Sequence, residues 1–217
     1  MLALSPEMRE QASSGIAYIK GKQLALELLK EGYKLDDFSS EAMQKGFMEA
    51  ISKKDSTVKL ADFQVALNLA KAKLQERELN LAKTNTKAAK TWLAENAKKK
   101  GVKQTASGLQ YTVVKKSEAK KTSKGDTKAE KQRYFISYQS ANKEGVVFEK
   151  SPSQQLVGVG KDLLPGVAEA LEMMAVGDHW QLYLKPELAY GGKRVGMALE
   201  PGSIVIMDVV LAGVKPE

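Results

Sequence analysis

Between Val58 and Lys100 the chain contains neither proline nor glycine. Nothing in that stretch breaks a helix, and a helix of that length runs about 60 Å at about 1.5 Å per residue. That exceeds the diameter of a small domain, so one compact core cannot wrap it. The stretch also changes character along its length. Its first half carries an apolar stripe of Leu60, Phe63, Leu67 and Leu74, with Leu69, Leu79 and Leu81 beside it. Its second half, Lys83 to Lys100, is mostly Lys, Ala and Thr, anchored by Trp92 and Leu93. An apolar half followed by a solvated half describes a stalk, one end buried in a helical module and the other carrying a separate domain. The stripe lacks the sustained heptads of a coiled coil.

The residues before this stretch carry helix signals of their own. Ser5 is a cap residue, Pro6 suits a first turn, and Gly32 suits a stop. Between them Ile16, Ile19, Leu24 and Leu28 recur at helical spacing. Gly15 and Gly21 sit inside this helix, each costing roughly 1 kcal/mol against alanine. They are either tolerated or placed for close approach of another helix. A second helix is expected over Ser40 to Ile51, with Met43, Phe47, Met48 and Ile51 on one side. About eighty residues in three helices leave apolar faces that one copy hardly covers. Two interlocked copies bury them.

After Gly101 the period changes from helix to strand. Trp180, Leu182 and Leu184 alternate with Gln181, Tyr183 and Lys185, the pattern of a half-buried strand stopped by Pro186. Before it, Leu163 and Leu164 precede Pro165-Gly166 and a short helical pattern of Val167, Ala170, Leu171 and Met174. After it comes an aromatic loop, Ala189-Tyr190-Gly191.

The order of elements from Asp162 to Gly191 resembles the pocket-forming segment of FKBP-type peptidyl-prolyl isomerases. Ser107 to Tyr111 resembles that family's entry strand. Tyr138, Gly145 and Phe148-Glu149 resemble its aromatic corner, and Pro201 to Val209 its closing strand. The resemblance covers about half the chain, from Thr105 onward. The helical part is similar to the Mip-like branch of the family, in element order and in the segments GIAYIKGKQL and MQKGFMEA. In that branch a helical module dimerises and a long helix leads to the isomerase domain. The resemblance implies an α+β chain: an all-α dimerisation module over 1–57, a connecting helix over 58–100, and an FKBP-type domain over 105–217. In the last, an antiparallel sheet wraps a short helix.

What the resemblance implies for chemistry is non-covalent. Rotation about a proline imide is slow, over a barrier of roughly 20 kcal/mol. The twisted transition state has lost amide resonance and is less polar than the planar form. A dry apolar pocket therefore binds it preferentially. Matched position by position, the catalytic candidates are Tyr138, Phe148, Glu149 and Tyr190, with Tyr190 donating its hydroxyl to the substrate carbonyl. The substrate-binding candidates are Leu163, Leu164, Val167, Leu199 and Met207. Several positions depart from the family pattern. Val167 stands where the family usually has a tryptophan floor, Glu149 where it has aspartate, and Met207 where it has an aromatic. The loop from Lys150 to Gly160 reads as shorter, and a proline pair is reduced to Glu200-Pro201. The pocket is expected to be less aromatic and wider, and the activity weak. The alternative is a non-catalytic chaperone or protein-binding module on the same fold.

Composition narrows the remaining classes. The chain has no cysteine, so disulfide, thiolate and cysteine-zinc chemistry are excluded. His179 is its single histidine and cannot build a multi-histidine metal site; no cofactor and no metal are expected. The net charge of +8 is local: Lys98 to Arg133 holds twelve Lys/Arg and three Asp/Glu, leaving the rest near neutral. That segment lacks interleaved aromatics and reads as a solvated loop, not a nucleic-acid patch, with weak contact to an anionic membrane surface as a further use. Met173-Met174, Met43 and Met48 read as core packing. No apolar run approaches the ~18 residues of a membrane span. The amino terminus lacks a secretion signal, which fits a cytoplasmic protein or a trimmed precursor. Resemblance to the Mip-like branch implies instead a V-shaped homodimer, periplasmic or outer-membrane associated, whose partners are proline-containing unfolded or partly folded proteins.

Overall fold

Why α1 has the bounds Pro6–Glu31 is written at its ends. The Ser5 side chain accepts a hydrogen bond from the Met8 backbone N–H (3.1 Å), Pro6 opens the first turn, and Gly32 at φ 95° closes the last. The computed structural model describes residues 5–52, 55–118, 132–151, 153, 155–158 and 163–216. Helix α2 spans Ser40–Ile51, capped by Ser39, and α3 spans Leu60–Asn96. The chain divides into two units, Met1–Arg77 and Glu78–Glu217, the boundary falling within α3.

Among the described residues of the first unit Tyr33 is the buried hydrophobic one, with Phe38 5.3 Å away ring to ring. Neither α1 nor α2 buries a residue. Arg77 ties the turn between them to α3. Its guanidinium donates to both Asp37 carboxylate oxygens (3.1 and 3.0 Å) and to the Gly32 carbonyl (2.6 Å). Among the described residues nothing lies within 4 Å of where a Cβ on Gly15 or Gly21 would sit, so neither makes a close helix approach to them.

The second unit holds an antiparallel sheet of β1 (Lys103–Gln104), β2 (Gln110–Lys115), β3 (Gln132–Ala141), β4 (Val147–Lys150), β5 (Gln155–Gly158), β6 (His179–Leu184) and β7 (Val205–Pro216). The order is β1-β2-β6-β7-β3-β4, with β5 also paired to β3. Part of the segment expected as a loop, Lys150 to Gly160, is therefore strand; residues 152, 154, 159 and 160 of it lie outside the described residues. Strand β6 alternates as expected, Trp180, Leu182 and Leu184 inward. Helix α4 (Pro165–Met173) packs Val167, Ala170 and Leu171 onto the same core as β6 and β7. Gly166 sits in tight packing there: a Cβ would meet Leu184 Cδ2 at 2.6 Å and the Leu188 carbonyl oxygen at 3.2 Å.

Helix α3 differs from the expected stalk in where it is buried. Its covered residues are Ala89, Leu93 and Asn96, all in the Lys/Ala-rich half, while Leu60, Phe63 and Leu69 are exposed. Small side chains explain the reversal. Ala82 comes so close to Gly202 that no Cβ fits there, and Ala89 and Leu93 cluster with Ile204. Polar contacts add to the packing. Arg194 makes a two-pronged bond to Glu78 (2.9 and 2.9 Å), and Asn85 donates to the Pro201 carbonyl (3.0 Å). The helix stops at Asn96, short of Gly101. There the buried Gln110 side chain donates to the Leu93 carbonyl (2.9 Å) and accepts from Asn96 (3.0 Å).

Candidate functional site

Four elements bring the sequence-derived residues together on one side of the sheet core. Tyr138 comes from β3, Phe148 and Glu149 from β4, Leu163 and Leu164 from the lead into α4, and Tyr190 from the turn after the short 3-10 helix Pro186–Leu188. Tyr138, Phe148, Leu163, Leu164 and Tyr190 are partly buried and all pack against the main core cluster. Gly145 at φ 84° turns β3 into β4, and the Asn142 carboxamide fixes that turn. Its oxygen accepts from the Glu144 and Val146 N–H groups (3.0 and 2.9 Å), and its nitrogen donates to the Ala198 carbonyl (2.9 Å).

Glu149 organises the rim. Its carboxylate accepts from the Tyr138 hydroxyl (3.0 Å) at one oxygen and from the Tyr190 hydroxyl (2.8 Å) at the other. Phe148 meets Tyr190 edge to face, with ring centroids 6.1 Å apart. Burial pushes the Tyr190 phenol far above its ordinary range, and the hydrogen bond and charge of Glu149 push it further. Tyr138 is raised by the same two causes in the same order. Both hydroxyls are therefore fixed as protonated donors at any physiological pH.

Val167, Leu199 and Met207 belong to the core cluster against which these residues pack. At 1%, 1% and 4% exposure they are core side chains.

Sequence reasoning missed Ser151. It is buried, and it brackets the Tyr138 backbone: its hydroxyl accepts from the Tyr138 N–H (2.9 Å) while its own N–H donates to the Tyr138 carbonyl (3.0 Å). No motif marks it; only its place directly after β4 is suggestive. His179, read as structural or surface, sits 3.3 Å from Asp208 on the sheet.

Comparison with known proteins follows this geometry. The structure of FkpA from Escherichia coli superposes with a TM-score of 0.63, covering 99% of both chains at 23% identity, which is a likeness of fold. The outer membrane protein MIP of Legionella longbeachae is 27% identical over 209 residues, 92% of this chain and 84% of that one. The FKBP-type 22 kDa peptidyl-prolyl cis-trans isomerase of Escherichia coli is 32% identical over 210 residues, 93% of each. Residues 10–113 match the family model for the domain amino terminal to FKBP-type peptidyl-prolyl isomerase, and residues 125–212 the model for the isomerase itself. Shared over both matches and over nearly the whole length of the Escherichia coli relative, these features make the chain a member of the FKBP-type peptidyl-prolyl cis-trans isomerase family.

Proposed function

We propose that this chain catalyses rotation about proline imide bonds in unfolded or partly folded proteins and acts as their folding chaperone. The observation that carries the reading is the Tyr190 hydroxyl, a permanent donor held 2.8 Å from Glu149 beside the edge of Phe148. A proline ring settles against Phe148, Leu163 and Leu164, and the substrate carbonyl takes over the Tyr190 hydrogen bond. Glu149 keeps its bond from Tyr138, so the carboxylate is never left unpaired. Val167, Leu199 and Met207 support this layer from the core. The apolar surround favours the twisted imide, which has less charge separation than the planar one. A 10⁵-fold acceleration needs about 7 kcal/mol of such preference.

The resting Glu149–Tyr190 bond opposes substrate, because it must be exchanged before the carbonyl is held. An unreturned cost of about 1.4 kcal/mol slows the reaction tenfold, which supports a modest rate. A protease-coupled assay on a proline tetrapeptide tests the reading. We expect a rate above buffer; a rate equal to buffer, with aggregation of a denatured client still suppressed, leaves the binding module alone.

A homodimer formed through α1 and α2 is part of the same proposal. So is a location outside the cytoplasm, in a bacterial periplasm or at the outer membrane, supported by the name of the Legionella relative. Fractionation of source cells checks it, and recovery with cytoplasmic markers counts against it. Weak contact of the basic segment with anionic membrane is tested by salt-sensitive vesicle binding, with residues 119–131 of that segment outside the described residues.

A further inference from the structure

A groove of about 520 Å³ lies beside the Tyr190 loop, within the second unit. One wall is α3, which presents Lys83, Lys87 and Lys90; the other is Pro186 with Gly191 and Gly192. The three lysines recur at i, i+4 and i+7, so they share one helix face. All three are exposed. Among the described residues none of them forms an ion pair. Glu187 lines the opposite wall, so the groove keeps a positive balance. These lysines read from sequence as the solvated half of a stalk. Their half of the helix is instead packed on the sheet unit, which turns a solvated stripe into one side of a channel.

The groove and the site share the Tyr190 loop, since Gly191 and Gly192, which line the groove, follow Tyr190 directly. A polypeptide whose proline sits at Tyr190 therefore meets the groove a few residues away. We propose that the groove binds an acidic flank of that same client chain, an inference that rests on the isomerase reading above. The spacing fits an extended peptide. Lys83 and Lys87 are about 6 Å apart along the helix axis. Acidic residues at alternate positions of an extended chain lie on one face about 6.6 Å apart. The long lysine stems absorb the difference. Apolar Pro186 and Ala82 leave room for the intervening side chain. A bilayer is the poorer occupant, because the charges face a concave channel between helix and loop and a membrane is flat.

Exposed ion pairs contribute a factor of about 1.5 to five each, so two or three together give about tenfold. Two peptides with one proline core test this, one flanked on both sides by Asp-Ala-Glu and the other by Lys-Ala-Lys. Exchange NMR reads kcat/KM for each with the full chain. We expect an acidic-to-basic ratio of about ten at low salt, falling to about one in the combined Lys83→Gln, Lys87→Gln, Lys90→Gln variant. A ratio near one in the native chain, or one the substitutions leave unchanged, overturns the proposal. If neither peptide is isomerised, the isomerase reading fails by itself, and Kd values from fluorescence anisotropy of the same peptides decide the groove by the same ratios. Equal Kd values, with phosphatidylglycerol vesicles bound by the native chain and not by the variant, overturn it in favour of a membrane surface.

Discussion

One methylene separates Glu149 from the aspartate usual in this family, and its one carboxylate holds two phenols. Tyr138 and Tyr190 donate to different oxygens of it, at 3.0 and 2.8 Å. In the proposed mechanism Tyr190→Phe removes the donor for the substrate carbonyl. A single hydrogen bond is worth about 0.5–1.5 kcal/mol, so kcat/KM is expected to fall about three- to tenfold. Glu149→Asp shortens the tether, frees the Tyr190 hydroxyl and lowers KM. The two substitutions are then coupled: Tyr190→Phe costs more in the Glu149→Asp background than in the native chain. Equal costs in both backgrounds show that the tether does not compete with substrate. The residues of this rim were legible through the family resemblance, which the aromatic corner, leucine pair and loop tyrosine carry; read alone, an aromatic such as Tyr138 or Phe148 on a strand is ordinary core. Their connection was not. The reach of Glu149 to Tyr190 spans β4 and the turn after β6, and no local pattern encodes a contact at that separation.

At the scale of elements, legibility follows how local the cause is. The ends of α1 and α2 are set by side chains within three residues of the cap, Ser5 to Met8 and Ser39 to Ala42, so they can be read directly. The burial of α3 within this chain depends on a partner surface more than a hundred residues away, which apolar periodicity does not report. Gly202 is the sharpest test of that packing. Its φ is 74° and its missing Cβ is where the Ala82 backbone sits. Gly202→Ala is therefore expected to lower the melting temperature of the second unit by the equivalent of at least about 1–2 kcal/mol; an unchanged melting temperature disproves the close packing. In the first unit Arg77 depresses the Asp37 carboxyl from its ordinary value to about 2, chiefly through its hydrogen bonds, aided by the Lys34 N–H. A depressed carboxylate stabilises the fold above its unfolded value near 3.8 and loses that contribution as pH falls toward about 2. Arg77→Ala should make helical content in the first unit less stable at pH 6, and should flatten its loss between pH 4 and pH 2 on a circular-dichroism titration. An identical acid limb in both proteins refutes the assignment.

For the whole molecule the open question is what covers the helical unit. Ile16, Ile19 and Leu24 of α1 are 59%, 54% and 44% exposed, and Met43, Phe47, Met48 and Ile51 of α2 are exposed as well. A patch of this kind marks an interaction site. A helix of 26 residues presents a strip about 39 Å long and about 10 Å wide, roughly 400 Å². A stable interface needs about 800 Å² per partner, so α1 alone falls short and α2 must join it. A second copy of the chain supplies a matching surface by symmetry, and Gly15 and Gly21, with open space where a Cβ would be, allow its backbone to come close. We expect sedimentation equilibrium to give twice the 23.7 kDa chain mass at micromolar concentration. The combined Ile16→Glu and Ile19→Glu variant should sediment as a monomer, and Phe47→Glu in α2 should weaken association on its own. Isomerisation of a free tetrapeptide should survive in the α1 variant, because the site residues lie wholly within Glu78–Glu217. Suppression of client aggregation should fall with the loss of the second copy. A native chain that sediments at 23.7 kDa, with those side chains still open to water, shows instead that a different partner covers the helices.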